Sequence, residues 1–204
     1  MLPLFLASAS PRRRELLESL GLAFAVEPAA IDEAELPGEA PQDHVVRLAA
    51  RKAATVAAAL RHRGVDALVL AADTTVTIDG AILGKPANDA EAVAMLHRLA
   101  GRSHEVLTAC RLVRNDDGRA AAVVVSSGVR FKPWDEALAR WYAATGEPMD
   151  KAGGYGIQGR GVLLSEAITG SWSNVVGLPL ESLPSLFDDV GDDFFARVEG
   201  GNRG

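Results

Sequence analysis

Four short clusters hold residues whose types and spacing could do chemistry on an anionic substrate. The first is Ser8-Ala9-Ser10-Pro11-Arg12-Arg13-Arg14. An apolar tripeptide, Leu4-Phe5-Leu6, runs into a small polar turn there, and Pro11 with a Ser10 cap then predicts a helix start. Such a turn exposes backbone N–H groups at the positive end of a helix dipole, which attracts anions. Three arginines in a first helical turn oppose that dipole, and a bound anion would remove the conflict. On its own the cluster reads equally well as a solvated basic helix end.

The second cluster centres on Asp73, the one charge in the apolar run 67–76. A carboxylate in such a strand is costly to bury unless it is paired or holds a metal. Perturbed carboxylates concentrate at active sites, although a strand-end Asp that caps a turn competes with that reading. Asp32 and Glu33 could add oxygen ligands, but by themselves they look like ordinary loop acids. The third cluster is Gly84-Lys85-Pro86, which lacks the glycine spacing and the Ser/Thr of a Walker loop. Lys85, like Lys52 in a helical stretch, reads as a surface lysine when taken alone. The fourth is Asp150-Lys151-Ala152-Gly153-Gly154-Tyr155-Gly156-Ile157-Gln158-Gly159. Its glycines allow a ligand close to the backbone, Tyr155 offers an apolar face and Gln158 a donor–acceptor amide. It precedes a strand and not a helix, so it does not fit a dinucleotide fingerprint.

The elements that must position these clusters alternate. Residues 4–6 and 24–26 read as strands flanking a helix from Pro11 to Gly21. A Pro/Glu-rich irregular segment, 27–42, leads to a helix over 44–63 with Val45, Leu48, Ala49, Val56 and Leu60 inward. The run 67–76 predicts a strand buried on both faces. Asp79-Gly80 turns it into 81–83, and a helix follows over 89–99, capped by Asn88 or Asp89. Strands over 105–113 and 120–131, a helix over 134–144, a glycine-rich loop over 146–161, a strand over 162–168 and a helix over 178–187 complete the order. Residues 188–204 are acidic and glycine-bearing and predict a frayed tail. The alternation with interspersed hairpins implies an α/β fold with a mixed sheet and helices on both faces.

Composition excludes several classes. The chain has 204 residues, 48% hydrophobic and 24% charged, with net charge −6. That balance argues against general nucleic-acid binding. A single cysteine, Cys110, rules out an intrachain disulfide and reads as a small buried hydrophobe. The apolar start is short and its arginines follow it, unlike a signal peptide, and no stretch would span a bilayer. A cytoplasmic location is therefore expected.

Taken in order, Ala7-Ser8-Ala9-Ser10-Pro11-Arg12-Arg13, Asp73-Thr74, Gly84-Lys85-Pro86, Ala152-Gly153-Gly154-Tyr155-Gly156-Ile157-Gln158-Gly159 and Asn174-Val175-Val176-Gly177-Leu178-Pro179 resemble the Maf family. This is the septum-formation-type family of nucleoside triphosphate pyrophosphatases, and the loop and the Asp73-Thr74 pair resemble its dTTP/UTP branch. The resemblance runs from about residue 4 to 183. It implies one domain over 1–187 with an elongated mixed sheet in an α/β/α arrangement, similar to inosine triphosphate pyrophosphatases, whose two lobes flank a nucleotide cleft. It implies phosphate binding by Ser8, Arg12, Arg13, Lys52 and Lys85. It implies Asp73 as proton acceptor, Glu33 and Asp73 at a divalent magnesium or manganese ion, and Arg12, Thr74 and Gln158 as specificity residues. The implied reaction is hydrolysis of dTTP and UTP to monophosphate and pyrophosphate, with house-cleaning of non-standard nucleotides as a related role.

Two rivals stay open at this stage. One is a nucleotide-binding regulator of septum formation that does not hydrolyse, against which the acidic pair speaks, since carboxylates repel a triphosphate unless a cation intervenes. The other is a cell-division interaction protein, for which no apolar patch or docking tail is evident. The expected partner is a small nucleoside triphosphate, with no nucleic acid and no membrane, and a homodimer is left open.

Overall fold

The computed structural model describes residues 1–201. The described residues carry a seven-stranded mixed sheet, as the pattern predicts, and form two compact units.

The first unit comprises Met1–Asp73, Thr108–Val124 and the described residues from Gly177 to 201. Strand β1 (Leu4–Leu6) pairs in parallel with β2 (Ala25–Val26) and with β3 (Leu68–Ile78). Parallel partners need crossovers, which are α1 (Pro11–Ser19) and α2 (Pro41–His62). Ser10 caps α1 by accepting from Arg13 N at 3.5 Å. Helix α2 begins three residues before the expected 44, because Pro41 suits a first helical turn. Its face of Ala53, Val56, Ala57 and Leu60 packs on Ala7, Ala67, Val69 and Ala71. Alanine on both sides lets helix and strand approach closely.

Every β3 residue is buried except Thr74, as expected of a strand covered on both faces. The strand reaches Ile78, two residues past the expected end, because the turn that stops it is Asp79-Gly80. These two residues take φ of 55° and 75°, the left-handed pair of a tight hairpin.

The expected frayed tail is a correction. Helix α6 (Leu183–Asp189) is followed by α7 (Phe194–Gly201). Phe194 is buried against Phe187, ring centroids 5.4 Å apart, and Arg197 ion-pairs with Asp192 and donates to Leu2 O at 2.9 Å. An aromatic pair and one buried arginine outweigh the acidic composition. Residues 202–204 of that expected tail lie outside the described residues. The helix predicted over 178–187 also begins later, at Leu183, with Pro184 in its first turn.

The second unit comprises Thr74–Leu107 and Val125–Val176. It holds β4 (Ala81–Leu83), which pairs antiparallel with β3, and α3 (Asp89–Leu99), which Asn88 caps at 3.0 Å from Glu91 N. Strands β5 (Ser103–Arg114) and β6 (Ala120–Phe131) are longer than or equal to their predicted spans. Helix α4 (Glu136–Ala143) packs on α3 and starts after an Asp135 cap, not at the predicted 134. Strand β7 (Ser165–Thr169) pairs antiparallel with β6 and starts three residues after the expected 162, since Gly159–Leu164 winds as 3-10 turns. A short helix, α5 (Trp172–Val176), has no counterpart in the sequence reading. The sheet order is β2-β1-β3-β5-β6-β7, with β4 beside β3.

Candidate active site

Local chain geometry builds one cluster of the first unit at the start of α1. The Ser8 hydroxyl is buried and accepts from Ser10 N at 3.2 Å and from Arg13 Nη1 at 3.1 Å. Arg13 Nε donates to the carbonyl of Gly177 at 2.8 Å. The guanidinium is thereby fixed from two directions while buried. Burial lowers its pKa, and the charges of Asp73, Cys110 and Glu33 act the other way, while Arg12 beside it adds to the lowering. An arginine stays cationic through such shifts. Of the three arginines noted in the sequence, Arg13 is inward and Arg12 half-buried, while Arg14 is exposed and ion-pairs with Glu18 at 2.7 Å.

A second cluster follows from the packing of α2 on β3. On α2, Lys52 occupies the row of Leu48, Val56 and Leu60, all buried, where the helical period calls for an apolar side chain. On β3, Asp73 shares a face with Val69 and Ala71, the residues that meet α2. The packing that forms the core thus carries Lys52 Nζ to 2.6 Å from Asp73 Oδ1. Both side chains are 9% exposed. A buried ammonium and a buried carboxylate are tolerated only as a pair with further partners. The further partner is Glu33, whose Oε1 lies 2.7 Å from the same nitrogen.

Glu33 comes from the irregular segment before α2, and that segment is strapped down. Arg47 Nη2 donates to Ala34 O at 3.0 Å and Arg51 Nη1 to Asp32 O at 3.1 Å, so the carbonyls on both sides of Glu33 are held by one face of α2. Arg47 also forks onto the Glu39 carboxylate, which His44 joins. Hydrogen bonding from Arg47 first, then from His44, holds the Glu39 pKa down at about 2. The Asp32 carboxylate, a candidate ligand on sequence grounds, instead accepts from Ala34 N at 2.9 Å and closes its own turn. Cys110 is buried and its thiol is pushed up to about 12 by that burial, so it behaves as the small hydrophobe expected.

Glu33 and Asp73 thus share one ammonium, and Arg13 lies close enough to interact with both. Among the described residues no group of three or more His, Cys, Asp or Glu could hold a metal ion. Glu33 and Asp73 still fit a magnesium-type ion, which uses one or two carboxylates and completes its shell with water and substrate phosphate.

The second unit holds Thr74, Lys85 and Gln158. Thr74 follows Asp73 on β3 and is half-buried. Lys85 is exposed just after β4, and the carbonyl of Gly84 before it accepts from Gly153 N at 3.0 Å. That bond ties the glycine-rich loop to the Lys85 turn. Gln158 is half-buried in the same loop. Tyr155 does not offer an apolar face to a ligand. Its ring is buried 4.6 Å from Phe131 and 5.3 Å from His104, and its hydroxyl lies 2.7 Å from His104 Nε2. Burying an aromatic ring outweighs presenting it, so Tyr155 anchors the loop.

Sequence reasoning missed the Gly177 carbonyl, the Arg47–Glu39 strap and the inward place of Lys52. Only the last had a local signal, a lysine in the apolar row of a long helix.

The family model described as Maf-like protein matches residues 3–190. A dTTP/UTP pyrophosphatase of Symbiobacterium thermophilum is 48% identical over 200 residues, covering 98% of this chain and 100% of the relative. One of Burkholderia pseudomallei strain K96243 is 53% identical over 190 residues, covering 89% of this chain and 90% of the relative. A solved nucleoside-triphosphatase / dITP/XTP pyrophosphatase from Mycobacterium abscessus is 18% identical with a TM-score of 0.39, over 64% of this chain and 74% of that one.

Proposed function

Since the chain belongs to the family of Maf-like proteins, we propose that it hydrolyses nucleoside triphosphates, dTTP and UTP foremost, to the monophosphate and pyrophosphate. The observation that carries this reading is the buried Lys52 ammonium held between Asp73 and Glu33, in the same unit as the Ser8–Arg13 cluster. Relatives at 48–53% identity named dTTP/UTP pyrophosphatases support the substrate assignment.

Asp73 is the group that orients a water against the α-phosphorus and takes its proton. The new P–O bond forms as the bond to the bridging oxygen breaks and pyrophosphate leaves. Charge on the phosphate oxygens is met by Arg13 and Arg12 in fork geometry, by the Ser8 hydroxyl, and by Lys52 and Lys85. Lys52 directs two of its three N–H donors at carboxylates, which leaves a third for a phosphate oxygen. Glu33 and Asp73 would hold a divalent magnesium or manganese ion, which supplies charge neutralisation and an acidified water when bound. Arg12, Thr74 and Gln158 are assigned to substrate choice. The Gln158 amide can donate to a pyrimidine carbonyl and accept from the ring N–H, a match for thymine and uracil.

The location proposed is the cytoplasm, and among the described residues no helix is long and apolar enough to cross a membrane. A regulator that binds without hydrolysis is disfavoured, because it has no use for a carboxylate pair beside a triphosphate. The test is release of pyrophosphate from dTTP, UTP, CTP, GTP and N7-methyl-GTP at one magnesium concentration. We expect dTTP and UTP to lead by about tenfold or more in kcat/KM. A purine leading by that margin would overturn the base assignment, and no pyrophosphate from any of the five would overturn hydrolysis.

A further inference from the structure

The loop that carries Gln158 is closed by a side chain outside the proposed site. Glu147 is half-buried at the start of a short turn after α4. Its Oε1 accepts from Tyr142 OH at 2.9 Å and from Gly161 N at 3.1 Å, and its Oε2 accepts from Arg160 N at 3.1 Å. The Tyr142 hydroxyl in turn accepts from Gly156 N at 3.0 Å. Tyr142 is fully buried, and burial raises its pKa, so the phenol keeps its proton. The chain thus folds into a bight whose arms, at Gly156 and at 160–161, are both fastened to one carboxylate, directly or through one phenol. Gln158 sits between the arms.

The closure is tight enough to dictate residue type. A Cβ on Gly161 would lie 1.9 Å from Gly156 O, and one on Gly159, where φ is +63°, would lie 3.1 Å from Glu147 Oε2. The two arms are in backbone contact, and little of the bight can shift while the carboxylate holds it. Lys151 adds a third fastening by donating to Glu147 O at 2.6 Å.

We infer that Glu147 is a positioning residue for base selection: through Tyr142 and the 160–161 amides it sets where the Gln158 amide points. The inference rests on Gln158 reading the base edge. An amide that tells uracil from cytosine must offer its donor and acceptor in a fixed order, because cytosine presents the reverse order at the same two atoms. Loosening the bight lets the amide turn or shift, and discrimination falls before catalysis does.

The test compares UTP with CTP, which differ at that edge alone, in the wild type, Glu147→Gln, Gln158→Ala and the double variant. Glu147→Gln keeps the shape but turns one acceptor oxygen into a donor, which faces an N–H. The UTP/CTP ratio of kcat/KM should fall about tenfold in Glu147→Gln, within the range that a misplacement of about 1 Å produces. It should fall at least as far in Gln158→Ala, and the double variant should fall no further than Gln158→Ala, since both changes remove one device. A purely structural role would lower the melting temperature and both efficiencies together and leave the ratio alone. An unchanged ratio in folded Glu147→Gln, beside a reduced one in Gln158→Ala, overturns the inference and leaves the base reading standing. A ratio untouched by Gln158→Ala overturns the base reading and the inference with it. If Glu147→Gln does not fold, Tyr142→Phe removes the phenol bridge alone and its ratio is judged in the same way.

Discussion

Replacing Lys52 with methionine tests the buried charge cluster directly. Methionine fills much of the lysine stem's volume, so the change is chiefly the loss of one ammonium. Asp73, 9% exposed, then loses the partner at 2.6 Å. Removing one partner of a buried pair costs about 3–5 kcal/mol, because the other charge is left uncompensated. The lower end applies here, since Arg13 lies close enough to interact with Asp73 and offers partial compensation. Glu33, at 45% exposure, keeps access to water and adds little. The expected loss is therefore about 3 kcal/mol, which for a protein of this size lowers Tm by roughly 6–12 °C. One further variant and one addition of magnesium sharpen the test. Lys52→Met with Asp73→Leu should recover most of the loss, because an apolar pair replaces an ionic one without a stranded charge. Saturating magnesium should raise the Tm of Lys52→Met more than that of the wild type, by up to about 2.7 kcal/mol of stabilisation at 100 times Kd. Thermal or urea unfolding with and without chelator measures all three. A Lys52→Met protein within about 1 kcal/mol of the wild type would refute the claim that this pair is buried and mutually dependent.

Three other outcomes follow from the same geometry. Asp73→Asn should lower kcat by about 10²–10⁴-fold with the fold intact, because Glu33 still meets Lys52; single-turnover kinetics beside a melting curve checks this, and retention of a tenth of the rate refutes it. Arg13→Ala should raise KM for the triphosphate and also cost about 1–3 kcal/mol, since the buried Ser8 hydroxyl and Gly177 carbonyl each lose a donor; a stability loss without any kinetic effect would make Arg13 structural only. His104 is buried and that burial depresses its pKa to about 4, so the unfolded chain takes up its proton first as pH falls. Stability from this group is complete above about pH 6.5 and drains by about 3 kcal/mol as pH falls to 4. His104→Leu should flatten the stability profile in that window, and an unchanged slope in urea titrations at stepped pH would exclude the assignment.

Local physics in this chain is legible without a structure. The extents of β1 and β6, the Ser10 cap, a cap at Asn88 or Asp89 and the Asp79-Gly80 turn depend on residues a few positions apart, and all follow from periodicity, side-chain caps and backbone φ; the structure chooses Asn88. Asp73 was conspicuous for the same reason, as one charge in an apolar run. What the sequence could not decide is which distant groups meet. Lys52 reaches Asp73 across 21 positions, and Arg13 reaches Gly177 across 164. Each contact depends on how a helix is rotated and set against its neighbour, which the pattern of one element does not encode. Glu33 and Tyr155 make the point in opposite directions. Glu33 looked like an ordinary loop acid, yet Arg47 and Arg51 pin its backbone beside Lys52. Tyr155 looked available to a ligand, yet its ring is buried among Phe131 and His104. Helix α7 formed for the same tertiary reason, because Phe187 and the Leu2 carbonyl were there to receive Phe194 and Arg197. Residue type and spacing determined the elements and the kinds of chemistry available, and packing decided which charges were brought out of water and into one another's reach.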